Sequence, residues 1–275
     1  MNALETNSEP IIRFAIFLLV LLVILIFEIV NPRRRLYYSK KRRWLTNFAL
    51  SVSNSIILSV LLPFVGIGAA VIIQKNGWGL FNLLDLADWF SIPLYLLLFD
   101  LIIYFQHRIF HKVDFLWKFH RMHHTDLDYD VSTGIRFHPL SILISSLVKL
   151  VLILALGPPV IAVLISEILL NATSMFNHSN WHIPKRFDAV LRLILVTPDV
   201  HRVHHSTNPD EHGNNFGFNF PWWDRLFGTY KAQPTMGHDS MQIGIEDFND
   251  QRSIEFFPAL AQPFNEKPTS NSALS

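Results

Sequence analysis

The chain is 275 residues long, half of them hydrophobic, with 23 phenylalanines and no cysteine. That length fits one large domain or two small ones. A positive mean hydropathy argues against an ordinary soluble domain, and the missing thiols exclude disulfides, thiolate zinc sites and cysteine-ligated iron–sulfur clusters. The formal net charge of +1 conceals a strong clustering of basic residues.

In chain order, the leading segment carries Glu5 and Glu9 rather than basic residues, and no small-x-small site follows the first apolar run, so a cleavable signal is not expected. A membrane-spanning helix takes ~20 apolar residues. Ile11 to Val30 approaches that length, with Arg13 and Glu28 near its two ends. The basic string RRRLYYSKKRR at Arg33–Arg43 follows directly, a position that suits lipid head groups better than nucleic acid. Further apolar segments lie in Trp44 to Ile73, Trp89 to Phe105, and Pro139 to Leu170. The last is broken by Gly157-Pro158-Pro159, which predicts a hairpin of two short helices, or one span plus a re-entrant piece, because proline removes a backbone donor and clashes with the preceding turn. From about Gln233 the sequence turns polar and rich in Pro, Ser and Asn, which predicts a loosely ordered tail. Its EFFPAL segment is a candidate for docking on the body.

Charge fixes the expected orientation. Seven of the 23 Lys and Arg lie in Arg33–Arg43, five between His107 and Phe137, and eight after Asn171. Only Arg13 and Lys75 fall on the opposite loops, and Lys149 lies inside the fourth apolar region. Basic loops stay cytoplasmic. The N-terminus is then non-cytoplasmic, and a fourth region that enters and returns brings everything from His107 to His124 and from His178 to His205 to the cytoplasmic face.

Ten of the 13 histidines fall into four compact groups. These are His107 and His111 in HRIFH, His120, His123 and His124 in HRMHH, His178 and His182 in HSNWH, and His201, His204 and His205 in HRVHH. Offsets of three and four share one helix face. Neutral imidazole is the commonest protein metal ligand, and ten imidazoles exceed the needs of a single ion, so two adjacent ions are expected.

Two polar stripes support this reading. Asp100, Tyr104, His107 and His111 form one helical stripe leaving the third span. Asp100 is an ionisable group in an apolar stretch, and it is a candidate for orienting an imidazole through its second ring nitrogen. The alternative is local pairing with Arg108. Glu167, Asn171, Ser174, His178 and His182 repeat the pattern on the fourth region, where the alternative is a polar helix–helix seam. Thr197-Pro198 reads as a helix start ahead of His201. His138 before Pro139 is open between a structural and a metal-proximal role. His212 lies in a turn-rich loop and His238 in the tail, and neither is given a role. Trp222 and Trp223 suit the membrane interface, and Asp224 is a candidate acceptor near the site or a partner of Arg225.

An imidazole-only donor set suits Zn, Cu, Fe or Ni, and a structural zinc site closes at four ligands. Two redox ions at a membrane face fit oxygen activation better, since imidazoles resist the oxidant that would destroy thiolates. HRIFH, HRMHHTDLDYDVSTGIRFHPL, FNHSNWH, TPDVHRVHHS and WWDRLFGTY together resemble the fatty acid hydroxylase / sterol desaturase superfamily, over about Trp89 to Tyr230. The resemblance implies an integral-membrane, helical di-iron oxygenase acting on a sterol, fatty acyl, sphingoid or ether lipid. It implies metal ligands at His107, His111, His120, His123, His124, His178, His182, His201, His204 and His205, with His182 the least secure. Two irons are the implied cofactors, with zinc able to replace them in purified protein. A separate electron donor (ferredoxin, cytochrome or reductase) is implied, and no nucleic-acid partner.

The expected architecture is an all-α polytopic membrane protein. It has about four transmembrane or re-entrant helices and a cytoplasmic helical cap carrying a histidine-rich dimetal site. Residues 1–88 form an N-terminal transmembrane region with a basic cytoplasmic loop, 89–232 a catalytic domain and 233–275 a tail. Hydroxylation of a lipid C–H bond leads, desaturation on the same ions is the nearest alternative, and a non-catalytic metal-binding membrane protein or a degenerate lipid-binding scaffold stands further off. A carrier would distribute its ligands along a transmembrane path.

Overall fold

The computed structural model describes residues 3–248 and 250–265, with side chains from Glu9 onward. Its helices are α1 (Ala3–Val30), α2 (Lys40–Leu61), α3 (Ile67–Asn76), α4 (Leu80–Leu83), α5 (Asp88–Lys112), α6 (Asp114–His124), α7 (Pro139–Leu156), α8 (Val160–Asn177), α9 (Lys185–Leu191), α10 (Pro198–His204), α11 (Pro209–His212), α12 (Trp222–Leu226) and α13 (Phe256–Ala261). Among the described residues there are no strands beyond two isolated bridges, Pro32 with Trp181 and Ser206 with Ile243. Five helices are long and apolar enough to cross a membrane: Glu9–Val30 within α1, then α2, α5, α7 and α8.

These helices bury only a stripe each. In α1, Leu21, Ile24 and Glu28 are buried while Ile11, Leu19 and Val30 stand outward. Apolar side chains left outside a helical bundle are the surface a bilayer covers. The inner stripe of α1 packs on Met175 of α8 and on Val131 and Ile135. A second core joins α3, α5, α7 and α8 through Ile73, Phe99, Ile153 and Val163.

The second apolar region is broken. α2 ends before Pro63, and α3 restarts after Gly66, whose φ of 76° suits glycine. The fourth region is the expected hairpin, turning through Gly157 at φ 62° as the C-cap of α7. Asn82 donates to the Gly157 carbonyl at 2.9 Å, which ties the hairpin tip to the α4 turn. The opposite ends of α1, α2, α5, α7 and α8 therefore meet at the other side of the bundle, where α6 and α9 to α12 form a cap.

Two expectations change. The described residues from 233 to 265 are packed rather than loose, with Met241, Ile243, Phe248 and Ile254 buried, while 266–275 of the expected tail lie outside the described residues. Backbone carbonyls of the packed residues are held by inward-facing side chains, Thr46 to Ile254 at 2.7 Å and Arg121 to Gln262 at 2.8 Å. Composition missed this because the acceptors are main-chain atoms. α13 carries the EFFPAL docking, with Ala259 packed against Leu50 and Met122. The basic segment is also not uniformly turned to the membrane. Arg33 pairs with Asp199 and Asp239, and Arg43 is fully buried on Asp126 and Asp130, each at 2.6 Å. Arg35, Lys41 and Arg42 remain exposed.

Candidate metal centre

The site is assembled from helix ends. α5 delivers His107 and His111 one turn apart in its last turns. The chain bends at Val113 and α6 delivers His120, His123 and His124. His178 is the C-cap of α8, and α10 carries His201 and His204 with His205 as its C-cap. Thr197 and Pro198 start α10 as expected, though the Thr197 side chain makes no capping hydrogen bond.

Nine imidazoles fall into two buried groups. His107, His111, His120, His124 and His204 form one, and His123, His178, His201 and His205 the other. Within each, one ring nitrogen per residue lies within 4.8 Å of all the others. α6 and α10 feed both groups, so the groups are adjacent, with His124 stacked on His205 at 4.3 Å between ring centroids.

The donor geometry fits a metal in each group. The Nε2 atoms of His123 and His178 lie 3.0 Å apart, and those of His120 and His124 lie 3.2 Å apart. Two imidazoles at right angles around an ion, with bonds of about 2.1 Å, place their nitrogens about 3.0 Å apart. His107 Nε2, His204 Nε2, His205 Nε2 and both nitrogens of His111 and of His201 are buried and lack any hydrogen-bond partner. Buried polar atoms are otherwise almost always satisfied.

The outer nitrogens explain the orientation. Nδ1 of His107 donates to Phe216 O at 2.9 Å, His123 to Arg136 O at 3.0 Å, His178 to Ser174 O at 2.7 Å and His204 to Asn214 O at 2.7 Å. Each such bond puts the proton on Nδ1 and leaves the Nε2 lone pair facing inward. Burial, reinforced by neighbouring imidazoles, holds His120, His124, His201, His204 and His205 well below the ordinary imidazole value. Burial takes His178 down to about 3. All are neutral, the form that binds metal.

His182 lies outside both groups. α8 stops at Asn177, and Ser179 to Trp181 run extended into the bridge with Pro32, so the expected one-turn relation to His178 is lost. The His182 amide donates instead to Asn31 O at 2.9 Å. His138 is structural: its Nδ1 caps the Leu140 amide and its Nε2 faces Leu260 O at 3.2 Å.

The expected orienting groups engage backbone amides and side chains other than the imidazoles. Asp100 touches no imidazole. It accepts from the amides of Asn219 (3.0 Å) and Phe220 (3.2 Å) and from Trp223 Nε1 (2.8 Å). Tyr104 bonds Thr229 at 2.9 Å. Asp224 does not pair with Arg225. It accepts the Phe216 and Gly217 amides at 2.8 Å and reaches His107 only through the Phe216 peptide. Burial raises Asp224 to about 6, against hydrogen bonds from Thr229 and those two amides. Glu167 pairs with Arg13 at 2.7 Å, and the Asn171 side chain donates to the Glu167 carbonyl at 2.9 Å, away from the rings.

Three features went unread in the sequence. His212 is buried against His124 and His111, with centroids 4.7 and 4.8 Å apart, because the loop after α10 folds back over the first group. Arg136, whose carbonyl orients His123, donates to Met122 O and Asn47 Oδ1 at 3.0 Å each and so clamps α6 to α2. The Arg43–Asp126–Asp130 network holds the TDLDYD segment. An arginine three residues into a helix opposite three alternating aspartates was the available signal.

A cavity of about 350 Å³ opens beside the histidines, bounded there by His107, His120, His123 and His201. It runs between α2, α5, α7 and α8 toward Lys149, Glu167 and Arg13.

Residues 92–229 match the fatty acid hydroxylase family, half of the chain and every histidine of both groups. The chain belongs to that family. Among curated relatives of this fatty acid hydroxylase family member, the ornithine lipid hydroxylase of Rhizobium tropici is 31% identical over 179 residues, 65% of this chain and 51% of that protein. The alkylglycerol monooxygenase of Homo sapiens is 34% identical over 134 residues, 47% of this chain and 28% of that protein. A candidate Delta(7)-sterol-C5(6)-desaturase of Arabidopsis thaliana is 27% identical over 168 residues, 56% of this chain and 55% of that protein. The chain thus spans about half the length of these relatives or less. No solved structure matches. The family segment runs from within α5 through α12, whereas Arg13 and the packed residues after Lys231 lie outside it.

Proposed function

We propose that this family member is a membrane-bound di-iron oxygenase that hydroxylates a lipid C–H bond, with electrons from a separate ferredoxin, cytochrome or reductase. The observation that carries this reading is the pooling of nine neutral imidazoles into two adjacent groups at one end of an apolar helical bundle, open to a cavity. Iron bound in both groups would supply activation of O2 against an unactivated C–H bond. One oxygen atom enters the C–H bond and the other leaves as water, consuming two electrons and two protons.

The protein's own contribution is positional. His107, His123, His178 and His204 are locked by carbonyls, so their lone pairs are preorganised. His107, His120, His123 and His201 border both the metal groups and the cavity, which puts a bound chain next to the reacting centre. The nine imidazoles are themselves buried from solvent. The basic residues flanking the site end of the bundle favour a cytoplasmic position for this centre, within reach of soluble reductant. Likeness to a candidate sterol desaturase supports removal of two hydrogens as the second reading on the same centre.

The test is lipid mass spectrometry on cells with the wild-type chain and with His204→Ala, under 18O2. The expected result is a lipid carrying one added heavy oxygen, dependent on His204. Loss of two hydrogens without oxygen gain identifies a desaturase. No His204-dependent lipid change overturns the oxygenase reading.

A further inference from the structure

The far end of the cavity is charged, although it lies within apolar helices. Lys149 is ten residues into α7 from Pro139, and Glu167 precedes His178 by eleven residues on α8, so both stand about 15 Å along the helices from the histidine end. Ionisable groups at such depth are costly and mark a function. Arg13 is already neutralised: its guanidinium contacts Glu9 at 2.9 Å and Glu167 at 2.7 Å. The backbone closes over this pair, since a Cβ on Gly66 would fall 2.5 Å from Glu167 Oε1.

Lys149 differs. It lines the same cavity, yet it makes no hydrogen bond and no ion pair within 4 Å among the described residues, and Glu167 attracts it only at longer range. Both nearby carboxylates, Glu9 and Glu167, are engaged by Arg13, so the four charges balance while neither carboxylate touches Lys149. Between the two ends the walls carry hydroxyls and amides, among them Ser51 and Asn54 from α2 and Ser145 and Ser146 from α7. A plain hydrocarbon filling this space would leave the ammonium without a contact partner.

We propose that Lys149 is the counter-ion for an anionic head group, so that the substrate is an amphiphile held with its carboxylate or phosphate at Lys149. The carbon to be oxidised then lies about 15 Å away at the histidines, as judged by helix rise. This assignment rests on the oxygenase reading for the chemistry, but the binding claim is separable from it. Arg13 and Glu167 act as the fixed back wall that keeps the anion on Lys149.

Equilibrium binding to the full chain in neutral detergent decides it, with three probes of equal chain length: a long-chain carboxylate, the matching alkyl phosphate and the methyl ester. Both anions are expected to bind at least about tenfold more tightly than the ester, the scale of a hydrogen bond to a charged group. Lys149→Met removes the preference, and Lys149→Arg keeps it. His204→Ala, which lacks the oxidising centre, keeps it too. Equal binding of ester and anions by the wild-type chain overturns the assignment without any variant. An unchanged preference in a folded Lys149→Met does the same. If the anions bind preferentially through Lys149 but no lipid is ever oxidised, the head-group site stands and the oxygenase reading fails. If the ester binds and is oxidised as well as the acid, the reverse holds.

Discussion

His123 and His178 present their Nε2 atoms to each other at 3.0 Å, although 55 residues separate them in sequence. Each ring is held from behind by a carbonyl, Arg136 O for His123 and Ser174 O for His178. Neither imidazole can turn without breaking a buried hydrogen bond, so the second group is set before any ion arrives.

That arrangement depends on a close approach at Gly134. A Cβ there would lie 2.4 Å from Ser174 O, the atom that orients His178, and Ser174 Oγ in turn donates to Gly134 O at 2.6 Å. Gly134→Ala is expected to push α8 away and weaken metal binding in the second group by about 10–100-fold, the usual effect of losing a supporting contact. Metal titration of the purified protein measures this, and an unchanged affinity refutes the role given to Ser174.

His182→Ala is expected to leave both the metal content and the turnover of the wild-type chain intact, because the residue faces neither group. Elemental analysis and lipid mass spectrometry on the same preparation check it. Loss of an ion in that variant would return His182 to the ligand set.

The contrast between these histidines shows what the sequence reveals. His107 with His111, and His120 with His124, are legible because both members of each pair sit on a continuous helix, where spacing alone fixes the face. His182 misleads because the same spacing runs past the end of α8, and the end is set by Trp181 stacking on Phe27 at 4.2 Å, a contact with no local signature. His212 is invisible for the converse reason, since it ends the short α11, which the loop after α10 returns to His111 and His124. The apolar spans and the Gly157-Pro158-Pro159 turn follow from chain-local physics. The packing of the described residues between 233 and 265 does not, because Arg121 and Thr46 hold them by carbonyls, which every sequence has.

Asp126 ties the cap to α2. Burial pushes its carboxyl up, but the Arg43 guanidinium more than offsets this and holds it below the usual carboxylate range. A depressed folded value stabilises the protein above the unfolded value near 4 and loses that stabilisation as the pH falls further. Asp126→Asn is expected to cost about 3–5 kcal/mol by leaving Arg43 under-compensated and to flatten the acid limb of stability against pH. Thermal melts of detergent-purified protein between neutral and acidic pH read both effects. An acid limb as steep as the wild type's in the variant contradicts the assignment.

The absence of cysteine makes topology directly measurable. Arg35 is exposed in the loop between α1 and α2, and Arg35→Cys gives the chain a single thiol. A membrane-impermeant maleimide is expected to label it only after the cells are opened. Labelling of intact cells reverses the orientation.

Two ions side by side is the claim on which the rest turns, and metal stoichiometry per chain tests it most directly. Wild-type protein should carry two ions of iron, or of zinc in its place. His111→Ala, altering the first group, and His201→Ala, altering the second, should each lower the content to one while the protein still inserts in the membrane. A wild-type content of one ion or none, or full occupancy in both variants, contradicts the paired centre.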